Sequence, residues 1–328
     1  MGMLIVTPAP PGSRKGNRIT AERWARRLRE LGREVRIAER YHGEDVEILI
    51  ALHARRSAAS VARFHAAHPQ RPLILCLTGT DLYGDIRTDV AAQASLEYAS
   101  RLVLLQAEGR RELPDRLQAK TRVIHQSVAP FVADEPARED VFEVCVLGHL
   151  RPVKDPFRAA AAARRLPADS RILITHAGAA LDAAMADRAR VETEGNSRYE
   201  WVGELAHDAA RRLLARSRLL ALTSLQEGGA NVVSEAIAAG TPVISSRISG
   251  SIGLLGGDYP GYFPPGDTEA LAALLRRVEV DEAFRERLRA RCLDLRPLVE
   301  PSREREAWRE LLAELNVAAG AGYRMPSA

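Results

Sequence analysis

Short apolar runs alternate along this chain with longer stretches in which apolar residues recur every three or four positions. "MLIVTP", "REVRIAE", "VEILIAL", "RPLILCLTG", "RLVLLQ" and "RVIHQS" have the length and aliphatic character of strands, and most are followed by a helix-period segment. That alternation predicts a doubly wound parallel sheet. "VAPFVADEPARED" interrupts it, a connector with proline and charge but no period. The alternation then restarts with "VFEVCVLGHL", "RILITHAG", "YEWVGE", "RLLALTS" and "TPVISS", which predicts a second α/β sheet. We therefore expect one domain over residues 1–130, a linker over 131–140, a second domain over 141–300, and a cleft between the two. From Pro301 the sequence "PSREREAWRELLAELNVAA" places Trp308, Leu311, Leu312 and Leu315 on one helix face, and residues 301–320 are expected to pack back on the first domain.

Size agrees with this division, since 328 residues exceed the usual extent of one core. The composition is that of a globular protein, 46% hydrophobic and 27% charged, with 47 basic against 43 acidic residues for a net charge of +4. The pI near 9.1 keeps anionic ligands in view, but a nucleic-acid partner would rest on that figure alone. Cys76, Cys145 and Cys292 lie far apart with no CxxC pair, so neither a disulfide framework nor a zinc site is indicated. A reducing cytoplasm fits. No run approaches ~18 apolar residues, and "MGMLIVTPAP" lacks the basic start of a signal peptide, so a soluble protein without a membrane partner is expected.

Chemistry concentrates in "LQEGGANVVSEAIAAGTPV", residues 225–243. Ligands of parallel sheets bind beyond the carboxyl ends of the strands, and this stretch follows a predicted strand ending at Ser224. Gly228 and Gly229 let the backbone approach an anion, and a helix beginning near Ala230 and Asn231 aims its unpaired N–H groups and positive dipole end at the same place. Glu227 precedes this cradle and Glu235 lies one turn inside the helix, so the two carboxylates can accept hydroxyl hydrogen bonds on either side of a diphosphate. That pattern describes a nucleotide sugar.

The first half carries a second set of polar residues at strand ends. "TPAPPGSRKGNR" supplies Gly12, Ser13, Arg14, Lys15, Asn17 and Arg18 at the mouth of a helix. "ALHARRSAAS" supplies His53, Arg55 and Arg56, and "LTGTDLYGD" supplies Thr78, Thr80 and Asp81. Taken singly, each has a plain reading: a helix cap for the glycine-rich turn, a solvated basic face for "SRK", a core histidine, a turn-capping aspartate. Their convergence on strand ends argues for a ligand.

The Glu-x7-Glu spacing with "EGGANVVSEAIAAGTPVI" resembles the signature of GT-B glycosyltransferases of glycosyltransferase family 4. The resemblance implies that Glu227 contacts the donor sugar and Glu235 the nucleotide ribose. The family's Gly-Arg-x-x-x-x-Lys diphosphate clamp has a counterpart in "GHLRPVKDP", where His149 follows Gly148 and the arginine is displaced to Arg151, with Lys154 as the lysine. Over nearly the whole chain, and most specifically in "PPGSRKGNR" and "LHARRSA", the sequence resembles the selenosugar synthases of selenoneine biosynthesis. This implies UDP-N-acetylglucosamine and selenophosphate as substrates, joined through a carbon–selenium bond with release of UDP and phosphate. Arg14, Lys15, Arg18, Arg55 and Arg56 would serve the anionic acceptor. No DxD-like pair or His/Cys cluster has metal-ligand spacing, so no metal or other cofactor is expected. An ordinary family 4-like transferase with a sugar or lipid acceptor, and a UDP-sugar-binding protein without catalysis, share the same donor site.

Overall fold

The computed structural model describes residues 2–13, 16–132 and 135–315. The chain divides into two compact units, residues 1–127 with 301–328 and residues 128–300. Each unit contains a six-stranded sheet in which every pairing is parallel.

In the first unit the strands are β1 (Met3–Val6), β2 (Val35–Ala38), β3 (Ile48–Leu52), β4 (Leu73–Leu77), β5 (Arg101–Leu104) and β6 (Thr121–Val123), in the order β2-β1-β3-β4-β5-β6. Strands β1, β3 and β4 are buried at every residue, which is why they read as unbroken apolar runs. Their alternate residues serve two cores. Leu4, Val6, Leu49 and Ala51 pack on one face with Val61 and Phe64 of the helix Ala58–Ala67. Met3, Ile5, Ile48 and Ile50 pack on the other with Trp24 of the helix Gly16–Glu30 and Trp308 of the helix Pro301–Glu314. Trp24 and Trp308 meet edge to face, centroids 4.9 Å apart. Beneath them Glu304 is fully buried and accepts from Trp24 Nε1, Arg23 Nε and Ser127 Oγ, so a buried charge gains three donors. Trp308, Leu311 and Leu312 are buried on the expected face, while residues 316–320 of the expected helix lie outside the described residues.

In the second unit the strands are β7 (Phe142–Leu147), β8 (Ile172–Ala177), β9 (Tyr199–Trp201), β10 (Leu219–Leu222), β11 (Val243–Ser246) and β12 (Tyr262–Phe263), in the order β9-β8-β7-β10-β11-β12. That is the doubly wound order 3-2-1-4-5-6, and the direction of winding reverses between β7 and β10. In the first unit the reversal falls between β1 and β3. Open crevices form at such reversals because successive crossovers leave in opposite directions. Two details differ from the sequence expectation. β12 has no counterpart in the apolar pattern, because it spans only two residues before Pro264. β10 stops at Leu222, short of Ser224, and beyond it the Thr223 hydroxyl donates toward the carbonyls of Lys154 and Asp155. Among the described residues no helix is long and apolar enough to cross a membrane.

Candidate active site

The turns leaving β7 and β10 lie on either side of the reversal in the second unit, and they carry the predicted donor residues. After β7 the chain passes Gly148 and Leu150 into a short 3-10 turn, Pro152–Lys154, with Arg151 at its head and partly buried. Asp155 closes that turn in the left-handed region at φ 44° and is held by Arg158 at 2.6 Å. After β10 the Leu225 N–H donates to the Val153 carbonyl at 2.8 Å, tying the second turn to the first.

This tie brings two distant charges together. Lys154 Nζ ion-pairs with Glu227 Oε1, and the same oxygen accepts from Ser224 Oγ at 2.7 Å. The Glu227 side chain is only 10% exposed and that of Lys154 33%. Glu227 is pressed from behind by Gly250, where a Cβ would stand 2.1 Å from the Glu227 carbonyl oxygen. No side chain larger than hydrogen fits there.

The helix Asn231–Ala239 begins where the sequence places it, and Ala230 at its N-cap is buried. Ala230 offers no side-chain cap, and its carbonyl accepts from the Val233 and Ser234 N–H groups, which closes the first turn directly after the glycines. Gly228 is buried and Gly229 half-buried. Glu235 lies inside the helix, its carboxylate 4.0 Å from His207 Nδ1. Burial lowers the His207 pKa first and Arg211 adds to it, so this ring favours the neutral form beside Glu235. The cluster can hold a diphosphate with cations and N–H groups and hold hydroxyls with carboxylates.

In the first unit the turns after β1, β3 and β4 carry the other predicted residues. Gly12 adopts φ 76° in the turn closed by Ser13 N–H to Pro10 O, a conformation glycine reaches without strain. Arg14 and Lys15 lie outside the described residues. Asn17 is half-buried in the first turn of the helix, and Arg18 is engaged by Glu22 at 2.6 Å on that same helix. His53 follows β3 directly, buried, in the left-handed region at φ 76°, a strained geometry for a residue with a Cβ. Its Nδ1 accepts from the Arg56 N–H at 3.4 Å and its Nε2 faces Thr80 Oγ1 at 3.2 Å. Burial lowers the His53 pKa against the opposing pull of Asp81 and Asp85, with Arg56 and Arg55 pushing the same way as burial.

Asp81 stands apart from the expectation that it meets an acceptor. It is fully buried, Oδ1 accepting from Thr78 and Gly79 N–H and Oδ2 from Ala54 N–H. It braces the loops after β3 and β4 against each other. Arg55 is half-exposed and pairs with Asp85 at 2.9 Å, which raises the Arg55 pKa further; the Arg56 side chain is exposed. Asp85 was missed in the sequence. It ends a π-helical turn, Asp81–Asp85, whose wide winding brings residue 85 back over His53 at 3.8 Å. Only the two aspartates of "DLYGD" hinted at it.

Comparison with known proteins follows this geometry. Residues 130–292 match the family model described as Glycosyl transferases group 1. No curated protein sequence matches the chain significantly. Among solved structures, HepE of Anabaena in complex with UDP and glucose shares 15% identity at a TM-score of 0.75, over 96% of this chain and 100% of its own. Sucrose-phosphate synthase of Thermosynechococcus elongatus shares 16% at 0.77, over 96% and 98%. The pneumococcal O-GlcNAc transferase GtfA, in complex with UDP and GlcNAc, shares 14% at 0.63, over 83% and 57%. The two parallel-sheet α/β units share the fold of these solved GT-B structures, and the match to the glycosyl transferases group 1 model covers the second unit apart from its ends.

Proposed function

We propose that this protein is a UDP-sugar-dependent glycosyltransferase whose acceptor is selenophosphate. The selenium of selenophosphate attacks the anomeric carbon of UDP-N-acetylglucosamine, the bond from that carbon to the UDP oxygen breaks, and UDP leaves with the electron pair. Water then cleaves the selenium–phosphorus bond, giving a selenosugar selenol and inorganic phosphate. Selenium in selenophosphate is already anionic and soft, so the chemistry needs positioning and charge stabilisation more than a general base.

The single observation that carries the donor half is the convergence of Lys154, Ser224 and Glu227 at the strand-order reversal of a group 1 glycosyltransferase domain. In this reading Lys154, Arg151 and the first N–H groups of the helix Asn231–Ala239 receive the diphosphate of the leaving UDP. Glu227 orients the sugar hydroxyls and Glu235 the ribose. Charge on the departing UDP is met by these groups without a metal ion. UDP in the HepE and GtfA complexes, and GlcNAc in the latter, support a UDP-sugar donor by analogy of fold. The acceptor half rests on the resemblance carried by "PPGSRKGNR" and "LHARRSA", with Arg55 and Arg56 after β3 and Arg14, Lys15 and Arg18 after β1 as the cations for the phosphoryl oxygens. A cytoplasmic setting belongs to the same proposal.

The test is UDP release from UDP-N-acetylglucosamine with and without selenophosphate. Release that depends on selenophosphate supports the reading. Release that needs a sugar or lipid alcohol instead assigns an ordinary glycosyltransferase, and UDP binding without release under either condition assigns a binding protein.

A further inference from the structure

The turn that delivers Arg151 and Lys154 is held chiefly from the neighbouring strand β8. His176, the penultimate residue of β8, is buried, and its Nε2 lies 3.0 Å from the Gly148 carbonyl oxygen. A carbonyl only accepts, so Nε2 carries the proton. Nδ1 is then the acceptor and takes the Tyr199 hydroxyl at 3.0 Å. Backbone bonds continue the clasp: Gly148 N–H to Ala177 O at 3.0 Å, Leu150 N–H to Ala179 O at 2.9 Å, and Ala179 N–H to His149 Nδ1 at 3.1 Å. Gly178 makes the contact possible, because a Cβ there would stand 2.0 Å from the Gly148 oxygen. Trp201 Nε1 donates to the Gly178 carbonyl at 2.9 Å and fixes the clasp from outside.

We propose that His176 is a positioning residue for the donor clamp: its Nε2–H on the Gly148 carbonyl sets the turn after β7 so that Lys154 reaches Glu227. The far end of the turn is pinned to β10 by Leu225 and Thr223, so the turn is stretched between two fixed strands. Loss of the histidine donor leaves the Gly148 carbonyl without that side-chain partner, and the position of the turn then rests on its backbone bonds and the His149 contact. Burial lowers the His176 pKa to about 4, which keeps the ring neutral at neutral pH, while its two hydrogen bonds fix the tautomer.

This inference rests on the donor reading above, and the experiment separates the two. UDP affinity is measured by calorimetry, with thermal stability alongside, for the wild-type chain, His176→Leu and His176→Gln. Leucine keeps bulk without a donor, and UDP binding should weaken about tenfold while the acceptor KM holds. Glutamine places an amide donor near the Nε2 position and should return the affinity to within about threefold of wild type. A purely structural histidine would lower the melting temperature and leave the UDP affinity of the folded protein unchanged, so a folded His176→Leu with wild-type affinity overturns the proposal. If that variant does not fold, Tyr199→Phe takes its place: severalfold weaker UDP binding supports the clasp, and wild-type affinity overturns it. A wild-type chain that binds no UDP overturns the donor reading and the clasp with it.

Discussion

Lys154 and Glu227, separated by 73 residues in sequence, are joined by an ion pair that Ser224 shares. In the donor reading proposed above, UDP-sugar entry would exchange this pair for ligand contacts. Lys154→Ala should weaken UDP binding about tenfold, the lower end for a charged hydrogen bond because the lysine is partly in water. Calorimetric titration with UDP checks this, and an unchanged affinity would remove Lys154 from the diphosphate.

The two glutamates should separate in kinetics. Glu235→Ala should chiefly raise the KM for the nucleotide sugar and Glu227→Ala chiefly lower kcat, each by about ten- to a hundredfold. Steady-state rates over a range of donor concentration distinguish them. Wild-type constants in both variants would refute the donor assignment.

Turnover should survive EDTA, since the proposed diphosphate contacts are Lys154, Arg151 and a helix N-terminus. Activity lost on chelation and regained with magnesium or manganese would overturn metal independence.

Arg55 and Asp85 make a separable pair at the proposed acceptor site. Arg55→Ala should raise the selenophosphate KM severalfold with UDP affinity unchanged. Asp85→Asn releases Arg55 from its carboxylate and should move that KM the other way. A change in UDP affinity at constant selenophosphate KM would transfer Arg55 to the donor.

Acid should destabilise the second unit through His176. Its folded pKa of about 4 lies below the ordinary 6.5, so the unfolded chain binds the extra proton between these values and stability falls as pH drops through that window. Full depression corresponds to roughly 3 kcal/mol. Denaturant midpoints of wild type and His176→Gln between pH 7 and 4 should converge on lowering the pH, and parallel curves would contradict this.

The alternation of apolar runs and helix periods by itself determined two doubly wound sheets, because strands covered on both faces must be apolar throughout and their crossovers must be amphipathic. Residues 225–243 determined the glycine turn and the helix beginning at Asn231, since glycines and a helix start are local signals. The face of the last helix was equally legible from Trp308, Leu311 and Leu312. Tertiary structure alone decided which charges meet. Lys154 reaches Glu227 because β7 and β10 are neighbours, and strand order is set by crossover packing that no local pattern encodes. The same holds for Asp81, fully buried and bonded to backbone N–H groups of two loops, one of them 27 residues away. It holds again for His176, whose partner carbonyl lies on a different strand end. A residue's type limits what it can bond, but which partner it finds depends on pairings across tens of residues, and only the folded sheet fixes those.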